Sequence, residues 1–154
     1  MKTKTKLIYM LFSLAPTLPL SAQNEALLQI IKAANNDLMA TQAYLHQHPE
    51  LPGKEFETSA FLQAEIEKLG LPITKVQGTG FFALLDTQRP GKTIGLRTDI
   101  DALPVPENDY NAQQKRLYIS QNEGVFHACG HDGHMAILLE AAKILTGMKD
   151  RLNG

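Results

Sequence analysis

The chain has 154 residues, 44% of them hydrophobic and 20% charged, with a net charge of −1 at neutral pH. That is enough apolar chain for about one globular domain, and the balanced charge gives no support for binding of nucleic acid or a membrane surface. The single cysteine, Cys129, excludes a disulfide within the chain.

Lys2, Lys4 and Lys6 precede an apolar run from Leu7 to Leu14 and on to Leu20, broken by Pro16 and Pro19 and followed by Ser21-Ala22-Gln23. This pattern predicts a secretory signal peptide over residues 1–22, cut after Ala22 or Gln23, and an exported chain, periplasmic or secreted, beginning near residue 23. The run is too short to span a bilayer as a stable helix; a permanent anchor is the alternative. In an oxidising compartment a lone thiol is either buried or bound.

From Asn24 to about His46 the residues Leu27, Leu28, Ile31, Leu38 and Tyr44 recur at helical spacing. The turn His48-Pro49-Glu50-Leu51-Pro52-Gly53 ends that helix. His46 and His48, beside a proline-rich turn, read as loop residues rather than ligands. A second amphipathic helix is expected from Glu55 to Leu69, with Phe56, Phe61, Leu62, Ile66 and Leu69 inward, Gly70 as its C-cap and Pro72 beyond. Short apolar runs follow at Ile73–Val76, Gly80–Leu85 and Thr93–Thr98. The last two, joined by Thr87–Lys92, predict a hairpin in a sheet covered by helices.

Thr98-Asp99-Ile100-Asp101-Ala102-Leu103-Pro104 comes next. Two acids at the end of a strand stand where open α/β sheets place their chemistry, although strand ends and turns also use acids merely as caps. Val105–Gly124 is a polar loop near twenty residues long, a length usually reserved for function. It leads into Gly124–His134, eleven residues holding the only cysteine, three of the five histidines, an acid and three glycines. Thiolate, imidazole and carboxylate are the ligands of borderline-soft metals, and the glycines permit tight turns. The stretch is read as a metal-binding loop running into a helix from about His134 to Met148, whose buried stripe is Leu138, Leu139, Ala142 and Leu145. Two other readings stand beside it: Cys129 as a nucleophile with a distant histidine base, and Cys129 as a buried small hydrophobe.

Three blocks, Leu45–Leu51 (LHQHPEL), Gly95–Pro104 (GLRTDIDALP) and His127–His134 (HACGHDGH), together resemble the di-metal amidohydrolases of the aminoacylase and carboxypeptidase metallopeptidase group. The likeness is nearest to the hippurate hydrolases and the indole-acetyl-amino acid (auxin-conjugate) hydrolases. Phe126 and Met135 stand where that group more often has Met and Thr. The resemblance implies an α/β fold: residues 23–154 as the N-terminal part of a helix-flanked, mixed-sheet catalytic domain, with the inserted lid or dimerisation domain absent. It implies Cys129 and His131 as metal ligands. Asp101 is implied as an acid that orients the site. Asp99 is grouped with it behind the metals, because relatives outside the branch carry a metal-binding histidine at that position. Two divalent ions, Mn or Zn, and a small N-acyl amino acid substrate are implied, as is a homo-oligomer as an option for the complete enzyme. Neither nucleic acid nor, after signal cleavage, a membrane is an expected partner. The general-base glutamate and the remaining ligands are expected beyond residue 154, so no catalytic residue is assigned here. The alternatives are an inactive remnant with weak or no metal binding, and a thiol-dependent enzyme using Cys129.

Overall fold

The structure, a computed structural model, describes residues 20–154. Most of the expected signal peptide therefore lies outside the described residues. Helix α1 runs Leu20–Gln47. No glycine or proline interrupts those 28 residues, and the residue before Pro49 cannot easily remain helical. Its first half is exposed, Leu28 and Ile31 included; packing begins in the second half, where Leu45 is 1% exposed. His46 is not a loop residue, as the sequence suggested, but lies buried in the last helical turn. A side chain there can be turned inward by the helix before the prolines break it.

Helix α2 spans Phe56–Lys68. Its N-terminal N–H groups are satisfied from outside the helix: Glu57 and Thr58 donate to the two carboxylate oxygens of Glu50, at 3.2 and 2.7 Å. A carboxylate in that position also meets the positive end of the helix dipole. Glu55, just before the helix, is itself buried and accepts from the Gly53 amide and the Thr79 hydroxyl. Phe56 was expected inward but is 66% exposed. At the other end the Gly70 amide bonds the Glu67 carbonyl with Gly70 at φ 74°, a left-handed conformation that favours glycine.

Strands β1 (Ile73–Lys75) and β2 (Phe81–Ala83) pair antiparallel, with Ile73 opposite Ala83, Thr74 opposite Phe82 and Lys75 opposite Phe81. The expected hairpin between residues 80–85 and 93–98 is not formed. β2 takes β1 as its neighbour, and residues 93–98 find no backbone partner among the described residues, leaving Ile94 81% and Leu96 55% exposed. A strand exists by its ladder, so this apolar run is left without regular structure. Residues 105–124 form the expected irregular loop, entered and left through a bridge between Leu103 and Phe126.

Helix α3 spans His131–Gly147. It packs along α1, and Leu45, Leu62 and Met135 meet in the core with Phe61, Phe81 and Ile100 around them. Among the described residues no helix is long and apolar enough to cross a membrane.

Candidate metal centre

The sequence placed the start of α3 near His134; the structure starts it at His131. Gly130 occupies the N-cap with φ 77°, a left-handed turn that redirects the chain between Cys129 and His131. His131 thus stands in the first helical turn and Cys129 on the turn before it. The helix gains no side-chain cap from Gly130.

The imidazole of His131 is held by its Nδ1, which lies 2.9 Å from the Asp101 carbonyl oxygen and 3.1 Å from Asp101 Oδ1. Both partners only accept, so Nδ1 carries the hydrogen and the Nε2 lone pair faces away from them. Metal-ligating histidines are oriented in this way by a carboxylate or carbonyl on the other nitrogen. Asp101 is steadied in turn: the next amide, Ala102, donates to the Glu50 carbonyl at 2.7 Å, and Leu103 pairs with Phe126. Cys129 is a free, exposed thiol. Asp99 does not join this group; it is exposed and pairs with Arg97. His134 is also exposed, its ring 5.9 Å from that of His131.

Behind the first turn of α3 lies a buried polar group that local sequence patterns gave no means of assembling. Asp132, 3% exposed, accepts on Oδ2 from His46 Nδ1 at 2.7 Å and from Gln42 Nε2 at 2.8 Å. The other nitrogen of His46 bonds Glu107 Oε1 at 2.9 Å. Glu107 further accepts from the Ser120 amide and pairs with Arg116, and the Tyr118 hydroxyl donates to Gln42. The hydrogen bond to Asp132 raises the His46 pKa above its ordinary 6.5; burial opposes that rise and Glu107 adds to it. Burial alone would push the Asp132 carboxyl up, yet the bonds from His46 and Gln42 hold it below its ordinary value. His127 is buried with neither ring nitrogen hydrogen-bonded, and burial pushes its pKa down.

Among the described residues no three His, Cys, Asp or Glu side chains stand together as a metal cluster. The donors present nevertheless fit part of one. Cys129 offers a thiolate and His131 a pre-oriented nitrogen, both acceptable to zinc-like ions. The thiol reading has less to stand on, since no imidazole hydrogen-bonds Cys129 among the described residues.

Residues 95–154 match the family model of peptidase family M20/M25/M40. The N-acyl-L-amino acid amidohydrolase of Geobacillus stearothermophilus is 36% identical over 131 residues, covering 84% of this chain and 34% of that protein. A crystal structure of a Staphylococcus aureus protein described as an aminohydrolase superposes with a TM-score of 0.76 at 36% identity, over 85% of this chain and 34% of the other. A Bacillus subtilis protein described as a dinuclear metal binding peptidase from the M20 family gives a TM-score of 0.71 at 34% identity, over 80% of this chain and 34% of the other. The chain thus spans about one third of the length of these relatives, and its fold is part of their helix-flanked α/β catalytic domain. In sequence and fold it is similar to part of the M20 peptidase superfamily, whose relatives here are described as an amidohydrolase, an aminohydrolase and a dinuclear metal binding peptidase.

Proposed function

We propose that Cys129 and His131 supply part of a two-metal centre that hydrolyses the amide bond of N-acyl amino acids or related conjugates. The observation that carries this reading is the Asp101–His131 contact, which leaves Nε2 of an ordered imidazole free beside an exposed thiol. Two divalent ions, Zn or Mn, would supply Lewis acidity and a water of lowered pKa. The chain's own residues do the holding. Cys129 gives up its proton on binding, His131 binds through Nε2, and Asp101 keeps the tautomer. Asp99 belongs to the surround at most.

The remaining ligands and the general-base glutamate would come from protein beyond these 154 residues. The motifs at Leu45–Leu51, Gly95–Pro104 and His127–His134 favour a substrate like those of the hippurate and auxin-conjugate hydrolases, and the activity for which the Geobacillus relative is named supports an N-acyl amino acid. Lys2, Lys4, Lys6 and the apolar run after them favour export. The small donor set favours a second reading for the 154 residues taken alone, that of a weak metal binder without turnover.

The test is metal analysis and N-acyl amino acid hydrolysis in the protein extended to its relatives' length. Cys129→Ala and His131→Ala should each lower metal content and remove most activity. Full metal content and wild-type turnover in both variants would end this assignment.

A further inference from the structure

His46 hydrogen-bonds neither Cys129 nor His131, yet it joins three parts of the chain at one buried point. Its ring nitrogens reach Asp132 in the first turn of α3 and Glu107 in the loop after Pro104, from the last turn of α1. An ionised carboxylate only accepts, so the two bonds together require both ring nitrogens to donate. His46 and Arg116 then oppose Asp132 and Glu107, two cations against two anions. Such a group is closed electrostatically, which is the condition for keeping charges out of water.

Its geometric consequence falls on His131. The first turn of α3 has no side-chain cap, and a helix terminus without one frays readily. Within that turn only two side chains hydrogen-bond to other elements: His131 to Asp101, and Asp132 to His46 and Gln42 of α1. Asp132 is the next residue in the chain after His131. Fixing its carboxylate against α1 fixes the backbone that carries the His131 ring.

We infer that His46 is a positioning residue for the metal-binding face: through Asp132 it locks the first turn of α3 and so holds the His131 imidazole against Asp101. This role rests on the metal reading of Cys129 and His131 for its functional meaning, whereas the orientation of His131 can be read without any metal.

Two near-isosteric variants separate the two arms of His46. The amide nitrogen of Asn falls close to where Nδ1 stands, and that of Gln close to Nε2. His46→Asn therefore keeps a donor toward Asp132 and loses the one toward Glu107; His46→Gln does the reverse. Long-range proton–nitrogen NMR of the histidine rings in the metal-free chain reports the His131 tautomer. Wild type and His46→Asn should show the Nδ1–H form, and His46→Gln a mixture. A merely structural role would affect both variants alike. Equal retention or equal loss of the tautomer, the reverse order, or failure of either variant to fold would each overturn the inference. Co²⁺ titration, followed by the thiolate-to-cobalt absorption of Cys129, then tests the reading beneath it. With that reading correct, wild type and His46→Asn develop the band and His46→Gln needs about 10–100-fold more cobalt. No band in wild type, with the tautomer pattern as expected, would defeat the metal assignment and leave the positioning of His131 standing.

Discussion

Asp101 and His46 act on neighbouring residues of the same helical turn, Asp101 on the ring of His131 and His46 on the carboxylate of Asp132. Replacing an outer partner of a metal ligand typically costs about 10–100-fold in metal affinity or activity. Asp101→Asn keeps the shape and the backbone carbonyl bond while removing the carboxylate charge. It should weaken metal binding by that order with little change in melting temperature, and calorimetric titration beside a thermal melt checks both. The His46 cluster carries a pH signature of its own. Against its ring lie Asp132 from α3, and Glu107 and Tyr118 from the loop, with Gln42 one turn earlier on α1; Arg116 pairs with Glu107, and a charged His46 repels charge on the buried His127. The folded-state pKa of His46 lies above its ordinary 6.5, chiefly through the bond to Asp132. Folding therefore takes up proton at this ring, so its stabilisation is complete below about 6.5 and fades as pH climbs through the raised value. Asp132 has the opposite sign: its pKa is lowered in the fold, and its contribution is lost only on acidification below its ordinary 3.8. Melting temperature should fall on the alkaline side of 6.5, and the fall should be shallower in His46→Gln. Equal alkaline slopes would show that this ring does not titrate with folding.

At the scale of elements, α2 borrows a side chain from the segment before it, whereas α3 starts without a side-chain cap. The N-terminus of α2 is capped by Glu50, seven and eight residues before the amides it accepts from. The backbone carbonyl of Glu50 also receives the Ala102 amide. One residue in the proline-rich turn thus joins the start of α2 to the segment bearing Asp101. Loss of a capping side chain costs about 0.5–2 kcal/mol, and Glu50→Ala should lower stability by that amount in chemical denaturation. The carbonyl remains, so the Asp101 segment should stay in place and His131 should keep its tautomer. The loop after Pro104 is tied down just as firmly: the Gln121 amide donates to the Gln47 carbonyl and Asn122 Nδ2 to the Pro49 carbonyl, at 2.9 and 2.7 Å. Its two ends are thus held beside α1.

At the scale of the molecule, among the described residues, three α-helices and a two-stranded sheet close a small core around Leu45, Leu62 and Met135. Truncating a residue of this kind removes transfer free energy and leaves a cavity, together about 2–5 kcal/mol. Leu45→Ala should lose that much on equilibrium unfolding and, because Leu45 lies beside His46, loosen the α1–α3 contact as well. Not all the apolar surface is covered. A groove of ≈ 1110 Å³ opens between α2, α3 and residues 92–101, lined in part by Leu62, Ile66, Leu96, Met135 and Leu138. Exposed apolar backbone without a ladder partner is an invitation to association. Ile94→Lys, on a side chain 81% exposed, should therefore raise the solubility of the chain without lowering its melting temperature. Light scattering against concentration distinguishes this from no effect.

The local patterns of the sequence determined the three helices within a few residues. They did so because helical periodicity, the prolines after Gln47 and the glycine at 70 act over a turn or two. The same local chemistry singled out Gly124–His134 as a candidate ligand loop and put acids at 99 and 101 just after an apolar run. The resemblance named Asp101 as the orienting acid and set Asp99 beside it; the contact of one and not the other with His131 needed the tertiary structure. Asp99 and Asp101 differ by two residues in sequence, and only the bend of the chain into the Leu103–Phe126 bridge turns Asp101, and not Asp99, onto the imidazole. Strand pairing was decided the same way: the sequence joined 80–85 to 93–98 as a hairpin, whereas the fold sets residues 73–75 beside β2. The His46 cluster was the least legible of all. His46 meets Asp132 across 86 residues and Glu107 across 61, and a contact made by packing one helix on another leaves no periodicity, cap or turn signal for either partner to show.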